Sequence, residues 1–187
     1  MTAATLTAPT ATAPWQIDSA HTEIEFSARH LMISNVKGRF SNPVGTVTVD
    51  PQLRGGIALD VSFPVATIDT RNEQRDSHLK SADFFDAEKF PTITFKGKRA
   101  EGDITGEFTL VGDLTIRGVT REVTLDVTSE GAGGDPWGND RLGFSATGKV
   151  DRKDFGLVWN QLLETGGVAV GDTIKIVINT ELMRPKA

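Results

Sequence analysis

The side chains able to do chemistry are few and scattered. There is no cysteine, so no thiol nucleophile, thiolate metal site or disulfide can form. His21, Glu23 and Glu25 alternate along a strand-like segment and share one face, so His-x-Glu-x-Glu could clasp a divalent ion. Strand alternation alone brings these three together, however, and a solvated face is the simpler account, so no metal is expected. His30 falls on the opposite, inward face, where a hydrogen-bonded buried histidine is commoner than an acid, base or ligand contact. Asp83, Asp86 and Glu88 read as turn and cap residues, and Asp151, Asp154 and Asp172 sit near strand ends. None is placed beside a partner that would shift its pKa. The sequence has no Gly-x-Ser-x-Gly, His-Glu-x-x-His or P-loop. We therefore expect no catalytic residues, no cofactor and no enzyme.

The elements that would carry these residues are mostly strands. Apolar positions recur at every second residue over 21–30, 40–50, 55–63, 92–100, 104–116, 119–127, 142–150 and 174–182. No strand is apolar on both faces, which favours an all-β, eight-stranded antiparallel barrel over a sandwich, since closure removes exposed edges. Residues 31–36 are expected to make a short helical turn, Arg117-Gly118 a tight turn, and 131–139 (GAGGDPWGN) a long flexible loop. Residues 163–171 form a second Gly-rich loop. The inward face would carry Ile24, Phe26, Ala28 and His30, then Phe40, then Leu59, Val61 and Phe63. Phe95, Phe108, Leu110, Phe144 and Trp159 complete that face. Gly97, Gly106, Gly112 and Gly148 also fall inward. They mark either barrel curvature or missing side chains that leave the lumen open, and eight strands are near the size where a barrel fills or holds one small ligand.

One stretch, 66–95, stops being β-like. Thr70-Arg71-Asn72-Glu73 has the form of a capping box, predicting a helix over about 71–81 with an Asp76–Lys80 pair on its surface. Leu79 and Ala82 are nearly all the apolar surface this helix has, so Phe84, Phe85 and Phe90 must hold it down. It reads as a cap or gate on one barrel end. Cations near the barrel mouths are Arg71, Arg75, Lys80, Arg152 and Lys153. Arg75 and His30 are the head-group candidates for a bound ligand, with pairing of Arg75 to Asp76, Asp83 or Asp86 as the alternative.

With 187 residues, one domain over 15–187 is the default. Residues 1–14 are almost wholly Thr, Ala and Pro and are expected to be a disordered tail. They carry no Lys or Arg and no apolar run, which leads us to expect a cytoplasmic protein. Ten Phe, three Trp and no Tyr make the aromatic content almost entirely apolar. A net charge of −5 with interspersed signs gives no footprint for nucleic acid, and no segment approaches a transmembrane span.

Thr67-Ile68-Asp69-Thr70, Arg75-Asp76-Ser77-His78-Leu79, Asp83-Phe84-Phe85-Asp86 and Phe90-Pro91 resemble the YceI-like family of polyisoprenoid-binding proteins. So do Asp18-Ser19-Ala20-His21, Val36-Lys37-Gly38-Arg39-Phe40 and the run from Gly112 to Thr120. Arg152-Lys153-Asp154-Phe155-Gly156 and Val170-Gly171-Asp172 extend the resemblance to nearly everything but the tail. The resemblance implies a lipocalin-like barrel and non-catalytic binding, storage or transport of a polyisoprenoid lipid, with a part in stress response. The ligand would be a polyprenyl diphosphate or a prenylated quinone, held by the apolar residues above together with Phe84 and Phe85. A homodimer is compatible with it. Two other classes remain open: an enzyme acting on an isoprenoid or quinone with His30 as acid or base, and a filled barrel whose outer face binds a protein.

Overall fold

In the computed structural model, which describes residues 14–49, 57–162 and 167–186, the alternating segments fold into antiparallel strands. They are β1 (Trp15–His30), β2 (Ser34–Phe40), β3 (Val44–Val49), β4 (Ile57–Pro64) and β5 (Thr92–Gly102), followed by β6 (Glu107–Ile116), β7 (Val119–Gly134), β8 (Asn139–Asp151) and β9 (Val170–Pro185). β1 pairs with β9, which closes the sheet into a barrel. β2 and β3 share one edge of β1: Ile24 to His30 face Ser34 to Phe40, while Trp15 and Gln16 face Val47 and Thr46. They act as one strand broken at residues 41–43, so nine segments fill eight barrel positions. The break is local chemistry. Asn42 takes a left-handed φ of 58°, and Pro43, fully buried, has no N–H to give a ladder.

Several expectations are corrected. Residues 31–33 form a tight hairpin turn rather than a helical one, with Leu31 and Met32 both left-handed (φ 49° and 61°). β1 begins at Trp15, not residue 21, and its ladder with β9 shifts between Asp18 and Glu23. Residues 131–139 are not a loop: β7 runs through Gly134, and the turn is only residues 135–138. The Asp135 carboxylate organises that turn by accepting from the N–H groups of Trp137 and Asn139 and from the Asn139 side chain. The Arg117-Gly118 turn stands as expected, with both residues at positive φ. The tail through residue 13, the beginning of the predicted 55–63 strand and residues 163–166 lie outside the described residues.

The helix α1 spans Glu73–Lys80, shorter than expected, and its N-cap is Asn72, whose side chain accepts from the Arg75 N–H. Thr70 is therefore not the cap. It is buried, and both its N–H and its hydroxyl donate to Asp76 Oδ1, so Asp76 is engaged by Thr70 and makes no ion pair with Lys80 among the described residues. No residue of α1 is buried. The helix lies in the excursion between β4 and β5, at the end of the barrel that also holds residues 31–33, 117–118, 152–162 and 167–169. The opposite end holds residues 103–106 and 135–138 and both described termini. Here Gly106 is corrected too. It lies in the 103–106 turn, hydrogen-bonded to Asp103, and does not point into the barrel. Gly112 and Gly148 do serve the interior, by letting neighbours lie across them. A Cβ on Gly112 would come 2.5 Å from the Phe95 ring, and one on Gly148 would come 2.6 Å from Leu125 Cδ2. They permit packing rather than leave space.

Candidate ligand cavity

The inward residues do not fill the barrel. They enclose a cavity of about 270 Å³, well above the ~150 Å³ at which an apolar protein cavity takes up benzene. Its wall includes Ile24, Phe26 and Ala28 of β1, Phe40 of β2, and Leu59, Val61 and Phe63 of β4. Phe95, Phe108, Leu110 and Phe144 continue the wall, and Phe84 and Phe85 close it at the helix end. Alternation along the strands assigns these strand residues to the inward face, and there they stand. The same alternation reads Ile174, Ile176 and Ile178 of β9 as inward, and they too lie on the wall, joined by Leu182. The sequence reading omitted Phe155 and Leu157, which follow no period because they belong to a 3-10 turn and a loop.

Three candidates are not on the wall. His30 follows the register shift between Ala28 and His30, where strand alternation breaks, and does not line the cavity. Trp159 packs behind the wall, 4.8 Å from the His78 ring and 5.3 Å from Phe84. Arg75 is folded back on the chain: Nε donates to Thr70 Oγ1 and Nη2 to the Thr70 carbonyl, both at 2.7 Å. Its partner is thus Thr70, not any of the three aspartates considered from sequence.

The polar residues on the wall are Thr22, Glu25, Arg152 and Thr180. Glu25 is largely exposed to solvent. Arg152 is 4% exposed, yet all of its donors are engaged. Nε donates to Gly171 O, Nη1 to the carbonyls of Leu157 and Trp159, and Nη2 to Val170 O and Asp172 Oδ1. It ties the loop after β8 to the start of β9 and has nothing left for a ligand.

At the opposite end, on the outer face, lies a charged cluster. His21 meets Asp18 at 2.9 Å rather than Glu23 or Glu25. Asp18, His21 and Glu181 are close enough to hold a cation, but the Arg141 guanidinium already bridges Asp18 and Glu181, at 2.5 and 2.9 Å, and also contacts Asp135 at 3.0 Å. Burial works to raise the Asp18 carboxyl, but the bonds from Arg141, His21 and the Ala20 N–H outweigh it and hold the pKa at about 2. Burial opposes ionisation of Asp135 too, and the bonds from Asn139, Arg141 and Trp137 override it, leaving that carboxyl well below the usual range. Both folded pKa values are depressed, so the stability they contribute is present above the unfolded carboxylate range and is lost as pH falls through the folded values. Arg141→Met is therefore expected to lower the melting temperature at pH 7, with the deficit relative to wild type narrowing between pH 4 and pH 2. A deficit constant across that window would mean the cluster adds no linked stability.

The sequence profile of the YceI-like domain matches residues 15–182. A UPF0312 protein of Staphylococcus aureus (strain N315) is 39% identical over 165 residues, covering 88% of this chain and 94% of its own. The crystal structure of the Campylobacter jejuni YCEI protein superposes with a TM-score of 0.71 at 34% identity, covering 84% of this chain and 90% of that one. Burkholderia cenocepacia BcnA gives a TM-score of 0.74 at 21% identity over 88% of this chain and 98% of its own. A domain from Saccharophagus degradans, described as polyisoprenoid-binding and implicated in plant cell wall breakdown, gives 0.64 at 11% identity, covering 91% and 98%. The last two likenesses concern the fold. Among the described residues, no helix is long and apolar enough to cross a membrane.

Proposed function

Because this chain belongs to the YceI-like domain family, we propose that it binds a polyisoprenoid lipid non-catalytically, for storage or transport, with the prenyl tail in the barrel cavity. The observation that carries this is the wall itself, which is carbon on nearly every side and drawn from all the barrel strands. A branched hydrocarbon chain gains about 25 cal/mol for each Å² of apolar surface it hides, with no directional bond required. The Saccharophagus degradans domain that shares the fold is described as a polyisoprenoid-binding domain. Retention rather than turnover is the reading because the wall's one carboxylate, Glu25, is exposed to solvent and no other acid or base lines the cavity among the described residues. Arg152 has its donors engaged, and His30 stands off the wall.

The test is organic extraction of the purified protein followed by mass spectrometry, in wild type and in Ala28→Phe. Ala28 is a small residue on the cavity wall, so a ring there occupies ligand space. Extraction of wild type should yield a polyisoprenoid. The variant should retain at least about tenfold less, since displacing even ~1.4 kcal/mol of contacts costs that factor, while unfolding cooperatively. Equal retention in the folded variant would place the ligand elsewhere. Wild type that neither carries nor takes up any prenyl compound would overturn the proposal.

A further inference from the structure

We propose that the hydroxyl pair Thr22–Thr180 is the point at which the cavity recognises a ligand's polar end, and that it selects an uncharged ring carbonyl, as on a prenylated quinone, over a diphosphate. This rests on the reading that a prenyl tail occupies the cavity.

Among the described residues, Thr22 and Thr180 are the only hydroxyl side chains on the cavity wall, and their Oγ1 atoms are 2.8 Å apart. Thr22 is buried. Two hydroxyls carry two protons, and the bond between them uses one. No other acceptor for the second proton is found among the described residues. One O–H donor is thus left over, polarised by its neighbour, in an otherwise hydrocarbon surrounding. Thr22 is buried and Thr180 half-buried, so the spare proton stands at the cavity wall, where meeting a single acceptor oxygen adds a hydrogen bond.

The backbone explains why the pair stands there. Along β1 and β9, Asp18 faces Glu181 and Glu23 faces Asn179. Residues 19–22 of β1 therefore oppose Thr180 alone, and the bulge returns Thr22 to the inward face it shares with Ile24. Phe144 lies directly across from Thr180 in the β8–β9 ladder, and its ring meets Phe108 edge-on at 6.2 Å. An aromatic wall beside a lone donor suits a flat ring bearing a carbonyl. The pair lies one inward step from Leu182, near the end opposite the helix. The ring would sit at that end and the tail would run toward Phe84 and Phe85.

A diphosphate does not fit this point. It needs several donors or fixed cations at once, whereas the pair provides one donor and the wall's arginine is saturated by five acceptors. Thr–Thr bonds also occur as ordinary cross-strand pairs, so the test must separate recognition from sheet structure.

The experiment measures affinities of four probes with one tail length: a prenylated benzoquinone, the prenyl alcohol, the prenyl diphosphate and the hydrocarbon without a head group. Proteins are wild type, Thr22→Val/Thr180→Val, Thr180→Val and Thr180→Ser. Wild type should bind the quinone about three- to tenfold more tightly than the hydrocarbon, the range of one neutral hydrogen bond, with the diphosphate weaker than the quinone. Thr22→Val/Thr180→Val should lose the quinone preference and keep the hydrocarbon affinity, whereas Thr180→Val leaves the Thr22 hydroxyl with its proton free and should keep a preference. Thr180→Ser, which restores the hydroxyl, should keep the preference. The quinone carbonyl stretch should move to lower frequency in wild type, Thr180→Ser and Thr180→Val, and stay unshifted in the double variant. A folded double valine variant that keeps the preference, or a diphosphate that binds as tightly as the quinone, overturns the proposal. Failure of wild type to bind even the hydrocarbon would instead overturn the cavity reading beneath it. If the double valine variant does not fold, Thr22→Ala/Thr180→Ala, which also removes both hydroxyls, takes its place.

Discussion

Arg152→Met should destabilise the barrel by about 3–5 kcal/mol, the range for removing one partner of a buried charged network. In thermal unfolding of a domain this size that is a fall of roughly 6–20 °C. The side chain is 4% exposed and its five donors serve five acceptors. Methionine fills similar space but takes the guanidinium donors from the carbonyls of Leu157, Trp159 and Gly171, while Val170 keeps the Asn160 side chain as a donor at 2.7 Å. Asp172 keeps Lys153, at 2.7 Å, as its remaining partner. Arg152→Lys should recover only part of the loss, because one ammonium cannot reproduce a planar fork that reaches both a loop and a strand. A methionine variant within ~1 kcal/mol of wild type would mean that water satisfies those carbonyls. The same residue bears on function. By holding the backbone of Leu157 and Trp159, it fixes the floor of the cavity beneath Phe84.

The barrel was legible because burial on one face leaves a period of two that few other folds produce. Ile24, Phe26 and Ala28, or Leu59, Val61 and Phe63, announce the wall by residue type and spacing alone. What was illegible depends on contacts between residues far apart in sequence or on side chains replacing backbone. GAGG in 131–134 has no side chains to alternate, so it reads as loop although it pairs with residues 140–143. The turn that makes this possible is built by one carboxylate, Asp135. Thr70-x-x-Glu73 has the right letters for a cap, but Asn72 wins because Thr70 is drawn to Asp76. Gly106 has the inward parity, yet its strand begins one residue later, so parity has no meaning there. Thr22 and Thr180 were invisible as a pair because they are 158 residues apart and lie beside a bulge that no periodicity reveals.

Removing the two rings behind α1 should free the helix without unfolding the barrel. Phe84 is 6% exposed and packs against His78 at 5.1 Å and Trp159 at 5.3 Å, while Phe85 meets the Phe40 ring edge-on at 5.8 Å. These anchors matter because α1 buries no residue, and eight residues of helix are not stable alone in water. The excursion is also held by buried Val65 and Ile68, by Leu79 on the cavity wall, and by two arginines: Arg75 on Thr70, and Arg117 reaching from the β6–β7 turn to the carbonyls of Ala82 and Gly156. Truncating a buried Phe to Ala typically costs roughly 3–5 kcal/mol. In Phe84→Ala/Phe85→Ala that loss should appear first as local opening, since the strands on either side remain paired in their own ladders. Hydrogen exchange at residues 73–80 should accelerate by a factor of about a hundred or more, the kinetic equivalent of ~3 kcal/mol. Exchange in β6 and β7 should change little. Bound lipid should also leave faster, because both rings form the helix end of the cavity wall. Helix amides as protected as before would show that the two rings do not anchor the cap. Equal acceleration in β6 and β7 would show instead that cap and barrel unfold as one unit, and that the helix end is no gate.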